Sequence, residues 1–190
     1  EKSILLTLSR YPELNETKIN FKEKPLWTTI STKPKITFIF TEEPLSVTMA
    51  TRPNYNFIFK KKEQIEYNIF IHNEKSENCV AELSLKSQVG VFSHELEHVI
   101  DYASMSKMQI VLFGFKYKYS EKFRSDVEKR MDKNAVNRGF GREVYNFTSF
   151  VYNNKCVLEE YKEYKKRIYY SPEEILELVE KYENSSKISN

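Results

Sequence analysis

Glycine and proline are scarce in this sequence, with four and six residues respectively among 190. Tight turns depend on these two residue types, so their scarcity argues against a turn-dense all-β architecture. The two cysteines, Cys79 and Cys156, are too few for a disulfide-rich scaffold and form no CxxC pair. We expect two unpaired thiols, with one disulfide as the alternative.

The chain also lacks a long apolar run and a dominant charge. Its longest candidate run, Ile110–Phe115, is interrupted by Gly114 and is far shorter than the roughly 18 residues that cross a bilayer. A formal net charge of +3 is small beside 30 basic and 27 acidic residues. We therefore predict no transmembrane segment and no nucleic-acid partner, and the charge balance gives no reason to expect an anionic membrane as partner; the oligomeric state stays open. The chain begins at Glu1 rather than methionine, which indicates a removed upstream segment and allows either a cytoplasmic or an exported protein.

Apolar material is plentiful, at 40% hydrophobic and 14% aromatic residues, which is enough for a packed core. We predict a single domain over residues 1–190 of the α+β class, with a small twisted sheet at the N-terminal end. Strands are expected to dominate residues 1–76, helices residues 77–183, and a flexible tail residues 184–190. The predicted strands are Lys18–Phe21, Ile36–Phe40, Tyr55–Phe59 and Tyr67–Ile71. Helices are predicted over about 3–9, around His94 and His98, over 120–137 and over 172–183.

The helix around the histidine pair has two different faces at 100° per residue. Its apolar residues form one regular stripe, which we expect to face the core: Leu85, Val89, Phe92, Leu96, Val99 and Ala103. His94 and His98 lie one turn apart on the other side, together with Asp101. We infer that this second face needs a cover, for which the segment around Glu128 is the best candidate.

The same helix carries the sequence His94-Glu95-Leu96-Glu97-His98, which has the form HExxH. Two imidazoles four residues apart can reach one metal ion, and the intervening glutamate can hold a metal-bound water without ligating the metal. The chain has only three histidines, and two of them stand here. We predict a catalytic Zn²⁺ site with His94 and His98 as ligands and Glu95 as general base.

A catalytic zinc ion needs a third protein ligand. The extended pattern HExxHxxGxxH fails, because Asp101 stands in place of its glycine and Ser104 in place of its third histidine. His72, the remaining histidine, ends a predicted strand, where a surface or core role is commoner than metal binding. The next amphipathic helix carries the better candidates in Glu128-Lys129-Arg130-Met131-Asp132.

HExxH followed by this ExxxD arrangement resembles the gluzincin group of zinc peptidases, over about residues 65–140. The resemblance implies a zincin-like fold, in which the sheet packs on the HExxH helix. It also implies Glu128 as third zinc ligand and Asp132 as an outer acceptor that orients a histidine. Asp132 and Asp126 remain rival ligands, and Asp101 is a second candidate for the outer role.

The expected activity is hydrolysis of amide bonds in a peptide or protein by a zinc-bound water, with Glu95 transferring the proton. An oxyanion stabiliser is also expected, and its candidates are Tyr102, Arg138, Arg142 and Tyr145. The strand Tyr67–Ile71 is the candidate for pairing with substrate, provided that it lies at a sheet edge.

Two other functions compete with this one. The chain could be a non-catalytic binding or regulatory module that keeps a peptidase-like fold. It could also dock on a membrane or partner through Ile110–Phe113 and the basic-aromatic run Phe115–Tyr119. Exposed apolar patches are rare on soluble monomers, so for these residues we expect instead a buried helix end followed by a solvated loop.

Overall fold

The computed structural model describes residues 2–14, 18–20, 27–31, 35–41, 47–72 and 82–188. Among these residues, the first part of the chain forms five strands: β1 (Lys18–Asn20), β2 (Trp27–Ser31), β3 (Lys35–Thr41), β4 (Met49–Pro53) and β5 (Glu66–His72). The helices are α1 (Lys2–Leu8), α2 (Leu85–Ser104), α3 (Lys107–Tyr119), α4 (Glu121–Ala135), α5 (Gly141–Asn153), α6 (Glu159–Ile168) and α7 (Pro172–Ile188). Helices prevail, and the predicted α+β class is confirmed.

The strands form one sheet in the order β1-β2-β3-β5-β4. β3 and β5 run parallel, with Ile36 opposite Tyr67 and Phe40 opposite Ile71, and the other pairs are antiparallel. β5 therefore lies inside the sheet, and the prediction that Tyr67–Ile71 offers an edge is wrong. Among the described strands, β4 holds the edge position beside β5.

Part of the secondary structure in this N-terminal region differs from the prediction. Tyr55–Phe59, predicted as a strand, forms a 3₁₀ helix, because the Asn54 side chain accepts a hydrogen bond from the backbone N–H of Asn56 and starts a turn. β2 and β4 were not predicted. β4 gave a weak signal since it contains Ala50 and ends in Pro53, two residue types that are uncommon in strands.

α2 packs across the sheet and is buried on nearly every side. Ser84 caps its N-terminus by accepting a hydrogen bond from the N–H of Ser87, at 3.1 Å. The ring of Phe92 meets that of Phe38 on β3 edge-on, at 5.8 Å between centroids. The predicted core stripe holds except at its first member, Leu85, which is exposed. The histidine face is buried too, as expected of a face that needs a cover.

The remaining helices close around α2. Gly90 of α2 allows very close approach of α5, because a Cβ there would lie 2.1 Å from the carbonyl oxygen of Glu143. α4 leads into α5 through a kink at Gly139, whose φ of 87° is strained for residues with a Cβ. The helix predicted over 120–137 thus ends close to its predicted end, at Ala135.

The C-terminal helix starts where the sequence indicates. Ser171 accepts a hydrogen bond from the N–H of Glu174, and the Glu174 carboxylate accepts one from the N–H of Ser171. α7 then runs through Ile188, beyond the predicted end at residue 183, since no glycine or proline interrupts it. Before α6, Cys156 is disulfide-bonded, so the expectation of an unpaired thiol is wrong at this position. Cys79 lies outside the described residues.

Candidate metal centre

The two histidines of HELEH face the interior from consecutive turns of α2. Each side chain is buried, and the ring centroids of His94 and His98 lie 5.0 Å apart. This arrangement follows from helix geometry, because residues four apart lie on one face. The pair therefore presents two imidazoles to whatever covers this side of the helix.

α4 supplies that cover, with Glu128 at its centre. One carboxylate oxygen of Glu128 lies 2.9 Å from Nε2 of His94, and the other lies 3.4 Å from Nε2 of His98. One ligand atom from each of the three residues can be chosen so that all lie within 4.8 Å of one another. Glu128 itself is 1% exposed. The structure thus brings together the three residues predicted as metal ligands in a group that could hold a metal ion.

Asp132, one turn after Glu128 on α4, contacts the far side of His94. Nδ1 of His94 donates to Oδ1 of Asp132 at 2.7 Å. Once the ring is neutral, a proton kept on Nδ1 by this bond leaves the lone pair of Nε2 directed at the space shared with His98 and Glu128. Asp132 therefore orients a histidine, the arrangement that the resemblance implied.

The electrostatics of this cluster favour a positive charge between its imidazoles and carboxylates. Burial opposes charge on His94, but the Asp132 and Glu128 carboxylates outweigh it and raise the pKa of His94 to about 10. Burial likewise opposes charge on Glu128, but His98 and His94 hold its pKa well below the ordinary value. A site with these properties suits a cation.

Glu95 is held by a residue that the sequence did not single out. The hydroxyl of Thr51, on strand β4, donates to Oε2 of Glu95 at 2.6 Å, and both side chains are buried. The same hydroxyl lies 3.2 Å from the carbonyl oxygen of Glu95. A threonine 44 positions upstream carries no local signal for this contact, which arises only because β4 packs on α2.

A groove of about 780 Å³ opens above these residues. Glu95, His98 and Glu128 form part of its lining, so the proposed base and two of the three possible ligands are accessible from one space. One wall is β4 with the turn that follows it, and the other is α3. The wall residues include Met49, Ala50, Arg52, Pro53, Phe57, Ile58, Ile110, Val111, Gly114 and Lys118.

Tyrosines surround the cluster. The hydroxyl of Tyr117 donates to Oε1 of Glu128, and the ring of Tyr169 lies 5.8 Å from that of His94. Tyr102 lines the groove and stacks near His98, at 6.4 Å between centroids. Burial, reinforced by the negative charge of Glu128, raises the pKa of all three hydroxyls. They remain protonated hydrogen-bond donors at neutral pH.

The other candidates lie elsewhere. Asp101 pairs with Arg130 at 2.7 Å, and it is Asp132 that contacts a histidine. Arg138 binds Glu97 and Glu13, and Arg142 binds Glu183. Neither arginine lines the groove, and neither does Tyr145, which leaves Tyr102 of the four predicted oxyanion stabilisers. Asp126 is exposed, and His72 is buried at the end of β5, outside the group formed by His94, His98 and Glu128.

Comparisons with known protein families, with curated proteins and with solved structures return no match for this chain. No helix in the described part of the chain is long and apolar enough to span a membrane.

Proposed function

We propose that this protein is a zinc-dependent hydrolase that cleaves peptide bonds, with a zincin-like fold. The observation that carries the proposal is the convergence of His94, His98 and Glu128 at a groove that Glu95 also lines. Convergence of an HExxH pair with a distant glutamate is not required by packing, since apolar residues would fill the same space at lower cost.

The donor atoms fit zinc. Two imidazole nitrogens and one carboxylate oxygen are a common ligand set of catalytic zinc sites, and their spread of 4.8 Å is compatible with one ion between them. Asp132 supports the set by fixing the proton of His94 on Nδ1. Bound zinc would polarise a substrate carbonyl and lower the pKa of a coordinated water.

Glu95 is the residue proposed to accept the proton of the attacking water and to deliver it to the leaving amine. The Thr51 hydroxyl restricts its carboxylate to one orientation, which is what a positioned base requires. Tyr102 and Tyr117 are the hydroxyl donors beside the site, and either could stabilise negative charge that develops on the substrate oxygen.

The groove also favours an extended peptide as substrate. β4 lines it over Met49–Pro53 and, among the described strands, pairs only with β5, so its outer side can accept a further strand. Pairing with an edge strand binds a peptide through its main chain and leaves side-chain preference to the walls. In this proposal β4 takes the role that the sequence had suggested for Tyr67–Ile71.

Two substitutions test the proposal, with zinc content and hydrolysis of a mixed library of quenched fluorescent peptides as readouts. Glu95→Gln should keep zinc and lose hydrolysis, because the amide cannot accept the proton. Glu128→Ala should lose zinc and therefore hydrolysis. Asp126→Ala is the matched control for Glu128→Ala, since it removes an exposed carboxylate from the same helix and should change neither readout.

Full hydrolysis by Glu95→Gln would refute the catalytic role of this residue. A purified protein that binds no zinc would refute the metal centre. Zinc binding without hydrolysis of any library member would instead favour a binding or regulatory module that uses the same site.

A further inference from the structure

The outer surface of α3 carries an apolar stripe that nothing in the described part of the chain covers. Met108, Val111, Leu112, Phe115 and Tyr119 are 46–68% exposed. Their spacings of three and four residues place them within an arc of about 100° on the helix. The prediction of a buried helix end followed by a solvated loop is therefore wrong for this stretch.

This stripe is not the face by which α3 packs. Ile110 and Phe113 are buried on the opposite side, where the ring of Phe113 meets those of Tyr102 and Phe123. A surface helix normally presents polar residues to water. α3 is apolar both inwards and outwards, which is unusual for a face exposed only to solvent.

Lysines flank the stripe on both sides. Lys107 and Lys118 lie to one side of it and Lys116 to the other, each about 70–90° from the centre of its arc at 100° per residue. No acidic residue occurs in α3. Long cationic side chains beside an apolar stripe can extend towards charged headgroups while the stripe enters the apolar layer.

The 3₁₀ turn across the groove continues the same surface. Tyr55 and Phe59 are each 89% exposed and Ile58 is 54% exposed, and three consecutive lysines follow at residues 60–62. Nζ of Lys107 donates to the carbonyl oxygen of Ile58 at 2.9 Å, which ties the turn to α3. We call the exposed apolar residues of the turn and of α3 the apolar rim: Tyr55, Ile58, Phe59, Met108, Val111, Leu112, Phe115 and Tyr119.

We infer that the apolar rim docks this protein on the surface of an anionic lipid bilayer. The rim contains more than half of the exposed large apolar side chains among the described residues. Its two segments, 54–62 and 107–119, carry six lysines and no acidic residue. Lys60 pairs with Glu66, and the other five lysines give the rim an excess of positive charge that complements anionic headgroups. Two copies of this chain would bring lysines against lysines, so charge disfavours self-association through the rim.

The inference does not rest on the proposed hydrolysis. It has one consequence for it: because Ile58 and Val111 belong both to the rim and to the groove walls, docking would place the groove mouth at the membrane surface.

Co-sedimentation of the full chain with vesicles tests the inference. We expect binding at low salt to vesicles of phosphatidylcholine with phosphatidylserine, and much weaker binding to phosphatidylcholine alone. The double variant Phe59→Ser, Phe115→Ser should bind about tenfold more weakly or worse, since it removes two exposed rings from the rim. Lys116→Gln with Lys118→Gln should weaken binding only to the anionic vesicles.

The control is Leu158→Ser with Leu176→Ser, which removes two exposed apolar side chains outside the rim and should leave binding unchanged. Phe59 and Phe115 do not line the groove, so their variant should keep its zinc content and its activity on soluble peptides. No sedimentation with anionic vesicles would overturn the inference, as would equal losses in the rim and control variants. Self-association that the rim variant abolishes, without vesicle binding, would assign the rim to a second copy of the chain.

Discussion

Replacement of Gly90 by alanine should destabilise the protein, because it disrupts the packing of α5 against α2, the helix that carries His94 and His98. An ideal Cβ at Gly90 would lie 2.1 Å from the carbonyl oxygen and 2.5 Å from the carbonyl carbon of Glu143, and 2.9 Å from the backbone nitrogen of Val144. All three atoms are backbone, so no side-chain rotation can relieve the contact. α5 would have to move about 1 Å away from α2 to restore van der Waals distance.

The replacement has two opposing effects on the free energy of unfolding, a steric cost and a gain in helix propensity. Overpacking of this kind costs about 3 kcal/mol or more when backbone must shift. Alanine in a helix interior returns about 1 kcal/mol relative to glycine. We therefore expect Gly90→Ala to lower the free energy of unfolding by about 2 kcal/mol, a shift of about 1 M in the urea midpoint.

Gly114 on α3 provides the matched control. Nothing lies within 4 Å of a Cβ built at this position, so Gly114→Ala should stabilise the protein by about 0.5–1 kcal/mol. Urea unfolding followed by far-ultraviolet circular dichroism measures both variants on one scale. A Gly90→Ala variant as stable as the original protein would contradict the close contact between the backbones of α2 and α5.

Three further predictions concern single contacts. Asp132→Asn should weaken zinc binding by about 10–100-fold in a competition titration, because the amide holds His94 less strongly, and unchanged affinity would contradict its orienting role. Thr51→Val should leave zinc content unchanged and lower kcat/KM for peptides by about tenfold or more through loss of the hydrogen bond to Glu95; an equal rate would show that the base needs no such support. Arg138→Gln should destabilise the fold by about 3 kcal/mol, since the buried Glu97 would lose its charged partner at 2.5 Å. Adding Glu97→Gln should recover part of the loss in the same unfolding assay, and no recovery would contradict this explanation.

The sequence predicted the grouping of His94, His98 and Glu128, which the structure shows, because each half of the group lies within one helix. His94 and His98 share a face by their spacing alone, and so do Glu128 and Asp132. The core stripe on α2 then required a cover for the other face, and few amphipathic segments were available to provide it. What joined the two halves was the resemblance of the HExxH and ExxxD patterns, rather than any property of single residues.

Contacts between elements that lie far apart in the chain could not be predicted from sequence patterns. Thr51 and Tyr117 contact Glu95 and Glu128 only because β4 and α3 pack beside them, and no local pattern around either residue indicates these contacts. Asp101 shares the histidine side of α2, yet its carboxylate pairs with Arg130 on α4. Which carboxylate meets a histidine is decided by the relative placement of two helices, which spacing within one helix does not specify.

The exposure of the apolar stripe on α3 could not be predicted for a related reason. Helical periodicity shows that apolar residues share a face, but it does not show whether that face meets protein or solvent. Ile110 and Phe113 were expected to be buried, and they are. Leu112 and Phe115 belong to the opposite face, and hydrophobicity alone could not separate the two sets.

His94 and His98 on α2 face Glu128 and Asp132 on α4, so the candidate metal centre consists of two pairs of side chains, each within one helix. Within a helix, the distance between the backbones of His94 and His98, or of Glu128 and Asp132, is fixed by the helical geometry. The remaining freedom is the separation and rotation of α2 against α4, which is set by packing partners such as the buried Val127 and Met131. The distance between the histidine pair and Glu128 therefore depends on the apolar packing between the two helices, and a change of one methylene there would displace a whole pair of side chains at once.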